Sequence, residues 1–154
     1  METVMLCTEN VEMLVEFEKQ ARETEADIFI HAFDETEFKT ETLKNLKNPH
    51  FDSAKCLMCV DEEKKVIGRL DFSIIPSFAF GGDIRTYVDW VYILKECRHK
   101  GVAQFLFGKM EAYLKELGIN EYFLIAAEND EAQRFYRSLG NAEIAKQDVL
   151  TKAF

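Results

Sequence analysis

Residues 86–127 read TYVDWVYILKECRHKGVAQFLFGKMEAYLKELGINEYFLIAA, and this stretch contains the clearest structural pattern in the chain. Residues 86–94 are mostly apolar, aromatic or β-branched, which predicts a strand. Residues 122–127 are apolar on both faces, as a central strand is. Between them, a helix is predicted at residues 101–117, with an end at Gly118 and one apolar stripe: Val102, Leu106, Met110, Tyr113, Leu114 and Leu117. Strand, helix and strand in this order imply a right-handed parallel crossover.

Two more helices are predicted before this unit. Residues 10–22 have the apolar period of an amphipathic helix, for which Thr8 or Asn10 is the cap. Asp34-Glu35-Thr36-Glu37 resembles a capping box, and it predicts a second helix that continues to about residue 46.

The remaining elements complete a mixed α/β architecture. Further strands are predicted at residues 1–7, 54–60, 66–75 and 143–154. A loop is predicted at residues 76–82, and a short helix at residues 130–139. We therefore expect one domain that spans residues 1–154, built on a mostly antiparallel sheet with helices on both faces and one parallel strand pair.

The negative charge is concentrated in the first part of the chain. The net charge is −9. Residues 1–94 contain 10 Lys/Arg and 19 Asp/Glu, a net of −9, whereas residues 95–154 contain 9 of each, a net of zero. An acidic chain lacks the basic face that phosphate backbones require, so we expect no nucleic-acid partner. We expect the two parts to face different molecules.

The hydropathy pattern predicts a cytoplasmic protein without a membrane partner. No apolar run approaches the length that spans a bilayer. The first residues, Met1 to Cys7, lack the positive and apolar regions of a signal peptide.

The four cysteines do not have the pattern of a metal site. Cys56 and Cys59 are spaced as a CxxC pair, but they lie in a predicted strand. Residues three apart in a strand point to opposite faces, and no second Cys or His pair accompanies them. We therefore expect no metal, and we interpret Cys7, Cys56, Cys59 and Cys97 as buried thiols in a reducing compartment.

A candidate anion site lies between the strand and the helix of the crossover, in the sequence RHKGVA at residues 98–103. A turn here directs backbone N–H groups to one point at a helix N-terminus, which suits a pyrophosphate. Gly101 allows close approach of a ligand, while Arg98 and Lys100 add positive charge. An ordinary strand-to-helix loop is the alternative. The chain has no Walker motif and no G-x-G-x-x-G.

Two segments resemble the signatures of the GNAT N-acetyltransferase family. Residues 87–103, YVDWVYILKECRHKGVA, are similar to its acetyl-CoA signature, in which an apolar strand and a spacer precede Arg/Gln-x-x-Gly-x-Gly/Ala and a helix. Residues 129–140, NDEAQRFYRSLG, are similar to its second signature, Asn-x-x-Ala-x-x-Phe-Tyr-x-x-x-Gly. His99 departs from a frequent Gly, and Ala103 is a permitted variant. The resemblance covers about residues 86–145 and implies a GNAT-like fold.

The resemblance also implies acetyl-CoA as co-substrate. Backbone amides of the turn would hold its pyrophosphate: Arg98, His99, Lys100, Gly101, Val102 and Ala103. The preceding strand would pair with the pantetheine arm through Val91, Tyr92 and Ile93, where the parallel pair splays. The amide near Val91 would polarise the thioester carbonyl, and Asn129 would hydrogen-bond to the pantetheine or its surroundings.

Two residues are the candidates for proton transfer. Tyr136, in the second signature, would be the general acid that protonates the leaving thiolate. A core aromatic is the alternative. Asp89 matches an acidic position of the family's strand and is predicted to alternate with Tyr87 and Val91 on one face. It would be the general base, with an exposed surface acid as the alternative.

Several residues receive weaker assignments. Asp71 and Glu128 are further candidates for the base, and Cys97 is not needed as a nucleophile because the amine would attack the thioester directly. We expect Trp90 and Met110 in the core, and His31 in a structural role.

The acceptor is predicted to be the primary amine of a small cationic molecule. Residues 9–41 contain 11 Asp/Glu and 3 Lys/Arg, and in the GNAT fold this region borders the acceptor side of the cleft. Three alternatives remain open: an N-acetyltransferase of proteins or peptides, a non-catalytic acyl-CoA-binding regulatory module, and an acidic region that is only a solvated surface. A homodimer is compatible with the sequence, which does not fix the oligomeric state.

Overall fold

The computed structural model describes residues 1–29, 31–145 and 150–153. For Phe80, within the second range, it describes the backbone only. It divides into two compact units, Met1–Leu124 and Ile125–Phe154. In the described residues, the first unit contains three α-helices and five strands, and the second contains one α-helix. The strands are β1 (Glu2–Met5), β2 (Ala54–Val60), β3 (Val66–Ser77), β4 (Asp83–Ile93) and β5 (Tyr122–Leu124). The helices are α1 (Val11–Thr24), α2 (Glu35–Asn45), α3 (Val102–Glu116) and α4 (Asp130–Ser138).

The five strands form one mixed sheet in the order β1-β2-β3-β4-β5. The first three pairings are antiparallel, and β4 pairs with β5 in parallel. The predicted sheet, with one parallel pair and an α3 crossover, is thereby confirmed. Short 3-10 turns lie at Thr8–Asn10, Pro49–Phe51, Ala79–Gly81 and Lys95–Cys97.

Helix α1 covers one face of the sheet. Its apolar stripe places Leu14, Phe17 and Ala21 in a core cluster with Met58 of β2 and Tyr92 of β4. Both predicted helix starts are present. The Asp34 carboxylate accepts a hydrogen bond from the Glu37 N–H, as an N-cap does. Asn10 precedes α1, although its side chain bonds back to the N–H of Cys7 and the carbonyl of Met5.

Helix α3 covers the opposite face. Tyr92 packs on the side of β4 that faces α1, and Ile93, its neighbour in the strand, points to the other side, where it lies beside Val102 of α3. The buried side of α3 is formed by Val102, Leu106, Phe107, Met110 and Leu114. The prediction of a stripe was correct except that Leu117 is exposed and Phe107 is buried. Gly118, at φ +76°, follows the helix end as expected.

Gly68 permits α3 to lie close to the sheet. A Cβ added there would lie 2.6 Å from Ile93 Cδ1 and 2.9 Å from Val102 Cγ1, which are closer than ordinary contacts. The absence of a side chain in β3 therefore sets the distance between the sheet and the first turn of α3. That turn follows the candidate anion site directly.

We expect Gly68→Ala to lower the free energy of unfolding by about 1–3 kcal/mol, because the new methyl group overpacks this contact. Gly108→Ala is the matched control. Gly108 lies on α3 with no atom near an added Cβ, and a helical Gly→Ala change should stabilise by about 1 kcal/mol. Urea denaturation measures both. A Gly68→Ala protein as stable as wild type would show that Ile93 and Val102 move aside without cost.

The sheet differs from the prediction in three places. The predicted loop at residues 76–82 is shorter, because β3 continues through Pro76 to Ser77 and β4 begins at Asp83, with the pairs Pro76↔Ile84 and Ser77↔Asp83, so that residues 78–82 form the loop of the hairpin. Strand β5 has three residues rather than six, and it lies at the edge of the described sheet with Phe123 exposed. No strand is present in residues 143–145 and 150–153, and the rest of the predicted C-terminal strand lies outside the described residues.

The cysteines are free thiols in different environments. Cys59 is buried, and burial raises its pKa to about 11. Cys56 and Cys97 are half-buried, whereas Cys7 is exposed, contrary to the prediction that it is a buried thiol. In the part of the chain that the structure describes, no cluster of three or more His, Cys, Asp or Glu residues could hold a metal ion.

The second unit contains α4, which begins as its sequence predicts. The Asn129 side-chain oxygen accepts a hydrogen bond from the Ala132 N–H and caps the helix. The Gln133 side chain donates to the carbonyl of Ala127. Among the described helices of both units, none is long and apolar enough to cross a membrane.

Candidate active site

The turn before α3 has a backbone shape that concentrates N–H groups. His99 has φ +59° and Gly101 has φ +81°, both in the left-handed region. A Cβ at Gly101 would meet nothing within 4 Å, so the glycine is favoured by its φ and not by packing. Left-handed residues in a short turn direct successive amides toward one concave side.

The first turn of α3 adds the amides of a helix N-terminus. The first hydrogen bond of this end runs from Phe105 N–H to the Gly101 carbonyl, so the three amides before Phe105 lack intrahelical acceptors. No acidic residue lies in this first turn. The site therefore has the partial positive charge that favours an anion.

The side chain of Arg98 points to a carboxylate rather than toward open solvent. Its Nε donates to the Ile93 carbonyl at 3.1 Å. Its Nη1 donates to Glu25 Oε1 at 3.1 Å, and its Nη2 donates to Glu25 Oε2. The Tyr92 hydroxyl donates to the same Oε2 at 2.5 Å. Arg98 thus brings less net charge to the turn than the sequence indicated.

In this group of three side chains, the pKa shifts keep Glu25 ionised and Tyr92 protonated at neutral pH. Burial opposes ionisation of Glu25, but the hydrogen bonds from Arg98 and Tyr92 outweigh it and leave its pKa below the ordinary value. Burial and the Glu25 carboxylate raise the pKa of Tyr92 to about 12. A carboxyl whose pKa is depressed contributes stability at neutral pH, and that contribution is lost as the pH falls through the lowered pKa.

A β-bulge lies in β4 at Asp89. The register pairs Trp90 with Asp71 and Val88 with Phe72, so Asp89 is the additional residue. The prediction that Tyr87, Asp89 and Val91 share a face was wrong, because the bulge places Tyr87 and Val91 on opposite faces. Asp89 is exposed. Bulges often occur beside active sites, where they redirect side chains.

Beyond the bulge, one edge of β4 has no strand partner among the described residues of this unit. The pairing with β5 covers Thr86 to Val88 and stops there. Within Met1–Leu124, residues 90–93 pair with β3 alone. Val91 and Ile93, which the sequence assigned to pantetheine, are in this segment. Such an edge offers N–H and C=O groups to an extended ligand.

The aromatic residues near this end of β4 differ from expectation. Trp90 is 39% exposed rather than in the core. Its ring meets Phe29 edge-on with ring centroids 6.3 Å apart, and Phe29 also contacts Tyr92, with ring centroids 5.1 Å apart.

Two further residues were assigned structural roles from the sequence. His31, predicted to be structural, is exposed. Met110 is fully buried, as predicted.

Asp71, a weaker candidate for the base, is held in an ion pair. Arg69 Nε donates to both of its carboxylate oxygens at 2.9 Å. Arg69 also pairs with Glu18, which in turn pairs with Arg22. Both carboxylate oxygens of Asp71 are thus occupied by a guanidinium, whereas Asp89 is exposed, so Asp89 is the more accessible candidate of the two.

Asn129 and Tyr136 lie in the second unit, at the start and in the last turn of α4. The oxygen of Asn129 is the helix cap, so its acceptor is already used locally. Tyr136 is half-buried against Phe135, with ring centroids 5.5 Å apart. Burial raises its pKa, so the phenol keeps its proton at neutral pH.

Glu25, which joins the turn to the end of α1, was not among the site residues predicted from the sequence. One signal was available. Glu25 follows the last residue of α1, where the helix dipole disfavours a negative charge. An acid at such a position needs a cationic partner, but the sequence does not show that the partner is 73 residues away.

Comparison with solved structures places this fold among acetyltransferases. The match to a probable acetyltransferase covers 100% of this chain and 98% of the other, with a TM-score of 0.79 and 18% sequence identity. The match to a ribosomal-protein-alanine N-acetyltransferase from Brucella melitensis biovar Abortus 2308 covers 100% of both chains, with a TM-score of 0.73 and 15% sequence identity. The match to an aminoglycoside antibiotic 6'-N-acetyltransferase from Acinetobacter haemolyticus covers 100% of this chain and 99% of the other, with a TM-score of 0.70 and 20% sequence identity. At these identities the likeness establishes the fold.

The sequence profile of the acetyltransferase (GNAT) family matches residues 16–140. The chain therefore belongs to the GNAT acetyltransferase family. No curated protein sequence is similar enough to this chain to give a significant match.

Proposed function

We propose that the protein transfers an acetyl group from acetyl-CoA to the primary amine of a small cationic molecule. The observation that carries this proposal is the left-handed turn at His99 and Gly101, followed by a helix N-terminus without acids. The amides of residues 98–103 would bind the pyrophosphate. Residues 91–93 would pair with the pantetheine arm along the open edge of β4. Family membership supports acetyl-CoA as the donor.

In the proposed reaction, the amine attacks the thioester carbonyl directly. The ammonium form of the acceptor first loses a proton to Asp89, directly or through water, because an amine of pKa about 10.4 is mostly protonated at neutral pH. The C–N bond forms, the amide of Val91 stabilises the oxyanion, and the C–S bond breaks as the attacking nitrogen loses its second proton to water.

Tyr136 is proposed as the acid that protonates the departing thiolate. Its place in the family's second signature supports this role, as does its protonation at neutral pH. The parent thiol has a pKa of about 8.5, so a phenol within reach is an adequate donor. The amide product and CoA then leave without a covalent enzyme intermediate.

The choice of a small cationic acceptor rests on charge. Residues 9–41 carry 11 acids and 3 bases, a net of −8. Local ion pairs use some of these acids, as in Glu12–Lys39 and Lys19–Glu35, but the excess remains. The aminoglycoside acetyltransferases of the same fold support this choice. The ribosomal-protein-alanine N-acetyltransferase supports a peptide as the second candidate.

A library of cationic, neutral and peptide amines, assayed by CoA release, tests the proposed function. Turnover of small cationic amines in preference to peptides is the expected result. Preference for peptide N-termini would support the second candidate. Binding of acetyl-CoA without turnover of any amine would favour a non-catalytic module.

We expect kcat/KM for a cationic acceptor to fall about tenfold between low and high salt, because screening weakens electrostatic attraction. Glu35→Lys should lower it further by leaving two lysines beside each other at Lys19. Glu116→Lys, on α3 in the neutral part of the chain, is the matched control and should have little effect. Neutral amines should react at equal rates at both salt concentrations. Insensitivity of cationic acceptors to salt and to Glu35→Lys would mean that the acidic region is only a surface.

A further inference from the structure

Glu25 is a buried carboxylate at a position where a helix disfavours it. It follows the last residue of α1 and is only 8% exposed. Its N–H donates to the Ala21 carbonyl, and its own carbonyl accepts from the N–H groups of Ile28 and Phe29. Its backbone is therefore fixed to the end of α1 and to the segment that follows.

The Glu25 side chain joins this segment to two others. Through the two guanidinium hydrogen bonds of Arg98 it holds the first residue of the turn, and through the Tyr92 hydroxyl it holds the end of β4. Arg98 Nε binds the Ile93 carbonyl, so the guanidinium is held on two sides. The Arg98 side chain cannot rotate without breaking this group.

The Arg98 backbone is extended, and the left-handed His99 follows directly. Fixing the Arg98 side chain therefore limits the backbone freedom of the turn at the point where its unusual conformation begins. A turn held in its binding conformation before the ligand arrives loses less entropy on binding.

We propose that Glu25 is a positioning residue for the cofactor, which holds Arg98 so that the amides of residues 98–103 are pre-organised for a pyrophosphate. This inference rests on the proposed function. Glu25 does not touch the cofactor in this proposal. It acts through Arg98.

Glu18 provides a matched control within the same helix. It is 4% exposed and pairs with two arginines, Arg22 and Arg69. Those arginines lie in α1 and β3 rather than in the turn. Glu18→Gln and Glu25→Gln therefore both remove one buried charge that is paired with guanidinium, and only the second removes one that holds the turn.

Charge and geometry predict opposite results for Glu25→Gln. Loss of the carboxylate releases the charge of Arg98 beside the site, which by itself would strengthen binding of an anion. Loss of the constraint loosens the turn, which weakens binding. Our proposal requires the second effect to be larger.

The test measures the dissociation constants of CoA, of 3′-phospho-ADP and of acetyl-pantetheine by calorimetry, with thermal unfolding of each apo protein. We expect Glu25→Gln to weaken CoA and 3′-phospho-ADP about tenfold, while acetyl-pantetheine, which lacks the pyrophosphate, is unaffected. In turnover, KM for acetyl-CoA should rise and kcat should not change. Glu18→Gln should lower Tm and leave all three constants unchanged.

Unchanged or tighter CoA binding by folded Glu25→Gln would overturn the inference alone, as would equal losses in Glu18→Gln. Failure of the wild-type protein to bind CoA would overturn the proposed function as well. If Glu25→Gln does not fold, Glu25→Asp keeps the negative charge but shortens the side chain by one methylene, which draws the carboxylate away from the guanidinium of Arg98. It should weaken CoA and 3′-phospho-ADP severalfold with acetyl-pantetheine unaffected, and unchanged binding would again overturn the inference.

Discussion

Tyr136→Phe is expected to lower kcat about a hundredfold or more, with little change in the affinity for acetyl-CoA. The substitution keeps the ring, which packs against Phe135, and removes only the proton that the leaving thiolate requires. General acid catalysis contributes about 10²–10⁴-fold, so the loss should be large. Steady-state kinetics with a good acceptor, together with direct titration of the cofactor, separates the two quantities.

Tyr122→Phe is the control for the loss of a phenol elsewhere. Tyr122 lies in β5 and donates to Glu111 on α3 at 3.1 Å, outside the proposed machinery. Its removal should change stability and leave kcat near the wild-type value. Unchanged turnover of Tyr136→Phe under conditions where chemistry limits the rate would make Tyr136 a packing residue.

Gly101→Asp is expected to remove most of the stabilisation that acetyl-CoA gives to the protein. A ligand at a hundred times its dissociation constant stabilises by about 2.7 kcal/mol. The aspartate would put a negative charge beside the pyrophosphate and a Cβ at φ +81°, where non-glycine residues cost about 1–2 kcal/mol. The measured quantity is the shift in Tm on addition of acetyl-CoA, compared with wild type.

Gly118→Asp is the control that separates the cost of backbone strain at a positive φ from an effect on cofactor binding. Gly118 has φ +76° and, like Gly101, no atom within 4 Å of an added Cβ. Its substitution should lower Tm in the apo protein by a similar amount and leave the shift on addition of acetyl-CoA intact. An equally large shift in Gly101→Asp and in wild type would mean that the cofactor binds elsewhere.

The features that sequence predicted well are those that local patterns determine. The crossover from β4 through α3 to β5 follows from apolar periodicity within about forty residues. The cap at Asp34 follows from residues three apart. In each case the residues that form the contact are close in the chain, so the pattern contains the information.

The features that sequence missed depend on pairing between distant segments. The bulge at Asp89 arises from the register of β4 against β3, and nothing in the alternation of Tyr87, Asp89 and Val91 indicates it. The partnership of Glu25 with Arg98 spans 73 residues. Sequence could identify both as charged residues, but it could not bring them together.

The additional residue at Asp89 has a consequence for how this strand tolerates change. Before the bulge, Thr86 and Val88 face α3, and after it Val91 and Ile93 do so. Substitution at Asp89 leaves both halves of β4 in phase with their neighbours. Deletion of the codon would turn the first half over and direct Arg85 and Tyr87 toward the α3 core. In a scan of this position that measures folding, many substitutions should therefore be tolerated and the deletion should not. A residue proposed for chemistry is thus also a spacer that the fold requires.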